Sequence, residues 1–242
     1  MKKKIITTSW DDGHPLDIKL SKLLLKYNIP GTFYVPIKNN ENPTMTNDEI
    51  KELSKKFEIG GHTINHTILT EIDESDLQME LQKSKIILEK LLDFSIISFC
   101  YPRGKFNNNI KKNVKDAGYM GARTTELFSI DSKDPFELDT TIQAVNRKIR
   151  SKIKQTIYSE KKMMKNLILH KTILKNWDEI ALESLNYVLE HGGIWHLWGH
   201  SWEIENNEDW EKLENLLKIV QIKGKEQNAE FLTNGEIFRF LN

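Results

Sequence analysis

The stretch TTSWDDGH, residues 7–14, decides the fold prediction. Two adjacent acidic residues, Asp11 and Asp12, follow a short apolar run at Ile5-Ile6, and Gly13 comes directly after them. This pattern predicts a first β-strand whose carboxyl end turns into a loop. Neighbouring side chains of an extended chain point to opposite sides, but a strand that breaks into a loop can aim both carboxylates into one pocket. One carboxylate could then bind a metal ion while the other accepts a proton.

A second polar cluster, GGHTINH at residues 60–66, follows a predicted strand at Phe57–Gly60. His62 and His66 are four residues apart, so we expect them to share one face of a helical turn. Together with Asp12 they would form a two-histidine, one-carboxylate site, which leaves positions open for water and substrate. Zn, Co, Ni and Fe all suit this ligand set. The sequence therefore predicts one divalent metal ion, with zinc as the preferred identity.

Both stretches resemble motifs of a known family. TSWDDG at residues 8–13 resembles the T-F-D-D-G motif of the polysaccharide deacetylases, the NodB-homology family of carbohydrate esterases, and HTINH at residues 62–66 is similar to their H-[ST]-x-x-H motif. The resemblance extends over nearly the whole chain. It implies a distorted (β/α) barrel and metal-dependent hydrolysis of an N-acetyl or related acyl C–N bond. It also implies that Asp11 is the general base and that the three residues of the predicted metal site are its ligands.

Strand-like and helix-like segments alternate along the rest of the chain. Apolar residues recur at helical spacing in Pro15–Tyr27, Asp73–Leu92 and Asn176–His191, whereas the apolar run Ile194–Trp198 predicts a strand. Such alternation favours a parallel sheet or barrel, in which functional residues gather at the carboxyl ends of the strands. We therefore predict an α/β fold, a distorted (β/α) barrel of about seven parallel strands, with residues 1–242 forming a single catalytic domain.

The general acid is expected at another strand end, in WHLWGHSW at residues 195–202. His200 lies just past the predicted strand and resembles the family's motif of an apolar strand that ends in histidine, so we predict it as the acid. His196 lies inside the strand and is expected to be structural. Trp198 and Trp202 are predicted to form an apolar wall for an acyl methyl group or a sugar face, and plain packing explains them equally well.

The family's third motif is altered in this sequence. Many relatives have R-P-P-Y-G, whose arginine pairs with the base, but FCYPRG at residues 99–104 has Cys100 at the arginine position. An unpaired buried carboxylate would have a raised pKa, so another cation is expected beside Asp11. Arg123 and Arg103 are the candidates. We favour Arg123 for this role and leave Arg103 to contact the substrate.

Other site residues are less determined by the sequence. The backbone N–H that follows Tyr101-Pro102 is a candidate oxyanion donor, and both residues are predicted as substrate contacts. His14 is close to the acidic pair along the chain and is a further candidate. The family's fourth motif, an aspartate–tryptophan pair that orients the acid histidine, is not recognisable. The candidates for that aspartate are Asp131, Asp134 and Asp139.

Composition limits the partners. The 242 residues include 35 basic and 35 acidic side chains, so the net charge of zero favours neither nucleic acid nor a membrane surface. The apolar run after the initial Met-Lys-Lys-Lys is too short for a signal peptide, which predicts a cytoplasmic protein with a small or precursor substrate. The basic stretch Arg147–Lys165 is either a solvated helix face or a surface for an anionic substrate such as a nucleotide-linked or lipid-linked sugar.

Three functions are consistent with these motifs. The first is a metal-dependent N-deacetylase acting on an amino sugar, an oligosaccharide or a glycoconjugate precursor. The second is a cyclic imide or amide hydrolase of the same fold, and the third is a metal-poor carbohydrate-binding pseudoenzyme. Binding alone does not require both a base and an acid. The presence of Asp11 and His200 beside a complete set of metal ligands therefore favours the two hydrolases.

Overall fold

The computed structural model describes residues 2–147, 162–169 and 171–241. The strands are β1 (Lys4–Trp10), β2 (Thr32–Val35), β3 (Glu58–Gly61), β4 (Ser98–Cys100), β5 (Gly121–Arg123), β6 (Ile142–Gln143), β7 (Gly193–Gly199) and β8 (Glu230–Phe231). The α-helices are α1 (Asp17–Lys26), α2 (Asn47–Ser54), α3 (Glu74–Leu92), α4 (Asn108–Asp116), α5 (Lys162–Leu169), α6 (Trp177–His191), α7 (Ser201–Asn206), α8 (Trp210–Glu226) and α9 (Asn234–Leu241). Short 3-10 helices lie at Leu69–Glu71, Pro102–Gly104, Pro135–Glu137 and Thr172–Leu174.

The described strands form one parallel sheet with β1 at its centre. The strand order is β5-β4-β3-β2-β1-β7-β6, and β8 pairs with the first half of β1. The two edges approach each other through residues 138–143, because Leu138 bridges Arg123 of β5 while β6 pairs with β7. The sheet is therefore a distorted barrel with a path of seven strands, which confirms the predicted fold class.

Strand β1 is buried along nearly its whole length, although it carries three consecutive hydroxyl side chains. Each hydroxyl has a partner: Thr7 donates to Asn234 Oδ1 at 3.0 Å, Thr8 donates to the Pro30 carbonyl oxygen at 2.7 Å, and Ser9 Oγ lies 2.8 Å from His196 Nε2. A buried polar group costs little when it is hydrogen-bonded. The central strand can therefore remain inside the barrel and place its carboxyl end, where the acidic pair begins, at the mouth.

Near the carboxyl terminus, the two-residue strand β8 is followed by α9. Two buried side chains of α9, Ile237 and Phe238, pack with Ile5 and Leu138 at the amino end of the strands. This helix covers the end of the barrel opposite the acidic pair. Within the described ranges, no helix combines the length and apolar character that crossing a bilayer requires.

Candidate active site

Three predicted metal ligands, Asp12, His62 and His66, lie together at the mouth of the barrel, with potential ligand atoms within 4.8 Å of one another. Asp12 Oδ1 lies 3.9 Å from His62 Nε2 and 3.3 Å from His66 Nε2. This oxygen is buried and has no hydrogen-bond partner among the described residues. A buried carboxylate oxygen rarely stays unpaired, and two imidazoles with one carboxylate are a metal-binding donor set. The residues therefore fit a divalent cation.

Neighbouring groups orient these ligands. His62 Nδ1 lies 2.8 Å from the Cys100 carbonyl oxygen, so Nδ1 carries the proton and Nε2 presents its lone pair towards Asp12. Burial lowers the pKa of His62 to about 4 against the opposing effect of Asp11, which keeps the imidazole in the neutral, ligating form. The other oxygen of Asp12 accepts a hydrogen bond from Trp202 Nε1 at 2.9 Å.

The His62–His66 segment is not helical, so the expectation of a helical turn is wrong. It is an irregular loop in which Thr63 and His66 adopt left-handed backbone conformations, with φ of 67° and 56°. These two residues fold the loop back, and the imidazole centroids lie 4.9 Å apart. The spacing still predicted the proximity of the histidines correctly, because a tight loop of this length also brings its ends together.

Asp11 lies beside this cluster as a buried carboxylate. Its Oδ1 accepts a hydrogen bond from Arg123 Nη2, and Cys100 Sγ lies 3.7 Å from its Oδ2. Burial raises the pKa of Asp11, but the charge and hydrogen bond of Arg123, supported by His200, outweigh this effect and hold the pKa below its ordinary value. Asp11 is therefore ionised, as a proton acceptor must be.

Strand register explains how Arg123 reaches Asp11. Cys100 of β4 pairs directly with Arg123 of β5, so the cation lies one strand away from the position where many relatives have arginine. The guanidinium is fully buried, and its carbon lies 4.6 Å from the ring centroid of Trp198. Arg103 instead pairs with Glu41 at the surface. The structure thus brings Arg123, and not Arg103, to the carboxylate.

His200 faces the same cluster from the end of β7. Its Nε2 lies 3.9 Å from Asp12 Oδ2, and its Nδ1 lies 2.6 Å from Glu203 Oε2. Burial lowers the pKa of His200, but the hydrogen bond to Glu203 and the charges of Asp11 and Asp12 outweigh it, so the pKa is raised. This environment favours the protonated imidazole, which is the form that can donate a proton.

The carboxylate that orients His200 is Glu203, which the sequence prediction missed. Asp131, Asp134 and Asp139 instead contact Lys2, Lys111 and Thr124, respectively. Glu203 lies one turn after His200 on the short helix α7, a segment that had not been predicted. The available signal was the H-x-x-E spacing, because residues three apart are neighbours on a helix.

Two further residues extend this hydrogen-bonded chain along the wall. Gln143 Nε2 donates to Glu203 Oε2 at 3.1 Å, and Arg147 Nε donates to Gln143 Oε1 at 2.8 Å. Burial lowers the pKa of Arg147, with Glu203 opposing the effect. Most of the basic stretch to which Arg147 belongs lies outside the described residues, at positions 148–161. Its predicted role for an anionic substrate therefore stays a prediction.

All these groups open into one cleft of about 320 Å³. It is lined by both acidic residues of the opening motif, by both ligand histidines and by His200. Arg103, Trp198 and Trp202, which were predicted as substrate contacts, also line it. Arg147, the first residue of the basic stretch, also lines it, and the lining residues that the sequence did not predict are Glu41, Asn42, Thr125, Gln143 and Glu203.

Three predicted substrate contacts do not line this cleft. Tyr101 is buried, and its hydroxyl donates to the Phe136 carbonyl oxygen at 3.1 Å. Pro102 is buried at the start of a 3-10 turn. His14 Nδ1 accepts the Leu16 N–H at 3.1 Å near the start of α1. Their roles as substrate contacts stay predictions, as does an oxyanion role for the backbone N–H after Pro102.

Comparison with known proteins identifies the family. The family model for polysaccharide deacetylase matches residues 1–122. The chain therefore belongs to the polysaccharide deacetylase family, whose members are hydrolases that act on carbon–nitrogen bonds other than peptide bonds. The family predicted from the two opening motifs is thus confirmed. The assignment of residues 1–242 to a single domain stays a prediction.

Two curated relatives each match about half of the chain. The peptidoglycan-N-acetylglucosamine deacetylase of Bacillus cereus is 29% identical over 121 residues, which cover 49% of this chain and 55% of that protein. The putative polysaccharide deacetylase YxkH of Bacillus subtilis is 25% identical over 127 residues, which cover 51% of this chain and 46% of that protein. The match thus spans about half the length of each curated relative.

A solved structure matches the whole fold. The putative polysaccharide deacetylase from Mycobacterium smegmatis superposes with a TM-score of 0.68 and 15% sequence identity, over 100% of this chain and 91% of that chain. At this identity the likeness concerns the fold alone. It supports the barrel architecture for the half of the chain that the family model does not cover.

Proposed function

We propose that this protein is a metal-dependent N-deacetylase that removes an acetyl or similar acyl group from an amino sugar within a carbohydrate substrate. The observation that carries the proposal is the presence of a candidate base and a candidate acid beside the cluster of Asp12, His62 and His66. The candidate base Asp11 is paired with Arg123, and the candidate acid His200 is paired with Glu203. His200 Nε2 lies 3.9 Å from Asp12 Oδ2.

The proposed reaction is hydrolysis of an amide. A divalent ion held by Asp12, His62 and His66, with zinc as the preferred identity, would acidify a water molecule and polarise the acyl carbonyl group. Asp11 accepts a proton from the attacking water, because Arg123 keeps it ionised. His200 donates its proton to the leaving nitrogen as the C–N bond breaks. The products are a carboxylic acid and the free amine of the sugar.

The walls of the cleft are consistent with a sugar substrate. Trp202 is partly exposed beside His200, with ring centroids 5.1 Å apart, and suits an acyl methyl group or the apolar face of a pyranose. Trp198 is nearly buried and forms part of the cleft wall beside the same imidazole, with ring centroids 5.6 Å apart. Arg103 and Arg147 lie on the rim, where a substrate that carries a carboxylate or a phosphate would find a positive partner. We infer that an anionic substituent is accepted at this rim.

Metal content provides the first test. We expect the purified protein to bind about one divalent ion tightly, as three protein ligands predict, and His62→Ala and His66→Ala to lose it. His191→Ala is the matched control, because this exposed histidine lies at the end of α6, outside the cleft. Elemental analysis after exhaustive dialysis measures the stoichiometry. Unchanged metal content in His66→Ala would remove that residue from the ligand set.

Product analysis separates the hydrolase functions. The metal-loaded protein should release acetate from N-acetylated amino sugars or their oligomers, and a coupled acetate assay detects it. Opening of a cyclic imide without release of acetate would instead support the alternative hydrolase. A protein that binds chitooligosaccharides but hydrolyses neither type of substrate would be a binding protein.

Glu203→Gln is expected to change the pH dependence of catalysis. Replacing the carboxylate by an amide weakens the hydrogen bond to Glu203, which is the largest of the effects that raise the pKa of His200, and removes the Glu203 charge, while burial continues to lower this pKa. The alkaline limb of the kcat/KM profile should therefore move to lower pH. Above the pKa of the acid, its protonated fraction, and hence the rate, falls about tenfold for each rise of about one pH unit. An unchanged pH profile would mean that Glu203 does not raise the pKa of the catalytic acid. Unchanged metal content in this variant would show that the metal-binding residues are intact.

A further inference from the structure

A buried carboxylate on α3 contacts the loop that carries His66. Glu80 is 4% exposed, and its two oxygens accept four hydrogen bonds from this loop. Oε2 accepts the backbone N–H groups of Ile64 and Asn65 at 2.7 and 3.1 Å. Oε1 accepts Asn65 Nδ2 at 2.7 Å and Thr67 Oγ1 at 3.1 Å. One side chain thus holds three of the residues that surround His66.

The loop needs such an anchor because its backbone is unusual. Thr63 and His66 both have positive φ values, a region that residues with a Cβ atom occupy only when the surrounding structure imposes it. On the other side, the Lys38 N–H donates to the Ile64 carbonyl oxygen at 2.7 Å. The loop is therefore clamped between the segment after β2 and the carboxylate of Glu80.

We propose that Glu80 is a positioning residue of the metal site. By fixing Ile64, Asn65 and Thr67 it holds the His66 imidazole beside Asp12 Oδ1. The inference rests on the proposed function, since it takes the Asp12 cluster to be a metal site. A carboxylate suits this position because all four of its partners are donors. An amide would present two hydrogens to some of them.

Glu80→Gln tests the proposal through metal affinity. The dissociation constant for Zn²⁺ is measured by competition with a chromophoric chelator on the full chain. We expect it to rise about 10- to 100-fold, the usual effect of removing a group that orients a metal ligand. The visible absorption of the Co²⁺-loaded protein should also change, because a displaced His66 alters the coordination geometry. The Zn²⁺ dissociation constant of His66→Ala gives the effect of losing this ligand completely.

Glu58→Gln is the matched control. Glu58 lies at the amino end of β3, and His62 follows the carboxyl end of the same strand. Its carboxylate accepts hydrogen bonds from Thr32 Oγ1 at 2.7 Å and from the Gly235 N–H at 2.8 Å. This variant should lower the Tm of the metal-free protein and leave the Zn²⁺ affinity and the Co²⁺ spectrum unchanged. Equal weakening of Zn²⁺ binding in both variants would overturn the positioning role.

Asn65→Ala keeps the proposal testable if Glu80→Gln does not fold. Asn65 is exposed, and the variant removes one donor to Glu80 while the backbone contacts remain. A smaller loss of Zn²⁺ affinity in the same direction is expected. Wild-type affinity in Glu80→Gln, or in Asn65→Ala where Glu80→Gln does not fold, would overturn the proposal while leaving the proposed function intact. A wild-type protein that binds no Zn²⁺ would instead overturn both.

Discussion

Asp11→Asn is expected to abolish turnover and to leave the metal ion bound. The asparagine amide occupies nearly the same volume but cannot accept a proton from water, and general base catalysis contributes about 10²- to 10⁴-fold to such reactions. Asp11 is not one of the predicted ligands, so elemental analysis should still find about one ion, as for the wild type. We therefore expect a loss of this size in kcat, measured by acetate release with the metal-loaded variant. Full activity would contradict the assignment of Asp11 as the base.

Asp17→Asn is the matched control for this variant. Asp17 lies in the first turn of α1, is fully buried and is close enough to feel the charges of Asp12 and Asp11. Burial, reinforced by these negative charges, raises the pKa of Asp17 well above its ordinary value, with Ser201 and His200 opposing. The control therefore replaces a neutral acid by a neutral amide and should keep kcat. An equal loss in both variants would indicate a general disturbance of the site.

The sequence was sufficient to predict the barrel and the proximity of Asp12, His62 and His66 for specific reasons. Asp12 and His62 each follow a short strand, and the carboxyl ends of parallel strands meet at one end of a barrel. Their proximity therefore follows from strand order alone. The left-handed backbone of Thr63 and His66 could not be predicted in the same way. It depends on Glu80, which lies on helix α3, outside this loop, and carries no local signal for this contact.

Two other features depended on contacts that sequence spacing does not encode. Arg103 and Arg123 were both possible partners of Asp11, and only the pairing of Cys100 with Arg123 across two three-residue strands separates them. Glu203 was missed because α7 has six residues and no apolar periodicity to reveal it. Gln143 joins this group through β6, a strand of two residues. Elements this short are set by tertiary pairing and not by local preference.

Arg123→Met is expected to reduce both stability and activity. Removing one member of a buried ion pair leaves an uncompensated charge and typically costs about 3–5 kcal/mol. The variant should also reverse the pH dependence that Asp11 contributes to stability. In the wild type the pKa of Asp11 is lowered. Asp11 therefore adds to the free energy of unfolding at pH values above its unfolded-state pKa, and this stabilisation is lost as the pH falls through its folded-state pKa. Without the cation, burial raises this pKa, and the variant should lose stability as pH rises from acid towards neutral.

Urea unfolding of metal-free protein at several pH values measures this effect, and two variants control it. Arg103→Met removes an exposed guanidinium paired with Glu41 and should cost about 0–1 kcal/mol. Asp11→Asn combined with Arg123→Met removes both charges and should be more stable than Arg123→Met alone. A cost for Arg123→Met no larger than that of Arg103→Met would mean that the pair does not hold Asp11 ionised.

A restored cation provides the sharpest form of this test. Cys100 Sγ lies 3.7 Å from Asp11 Oδ2, on the strand next to Arg123. Cys100→Arg in an Arg123→Ala background should therefore return a guanidinium to the same carboxylate from the neighbouring strand, in the volume that the truncated arginine vacated. We expect partial recovery of stability and of kcat at neutral pH. Recovery of stability without any recovery of kcat would indicate that catalysis depends on the position from which Arg123 contacts Asp11 as well as on its charge.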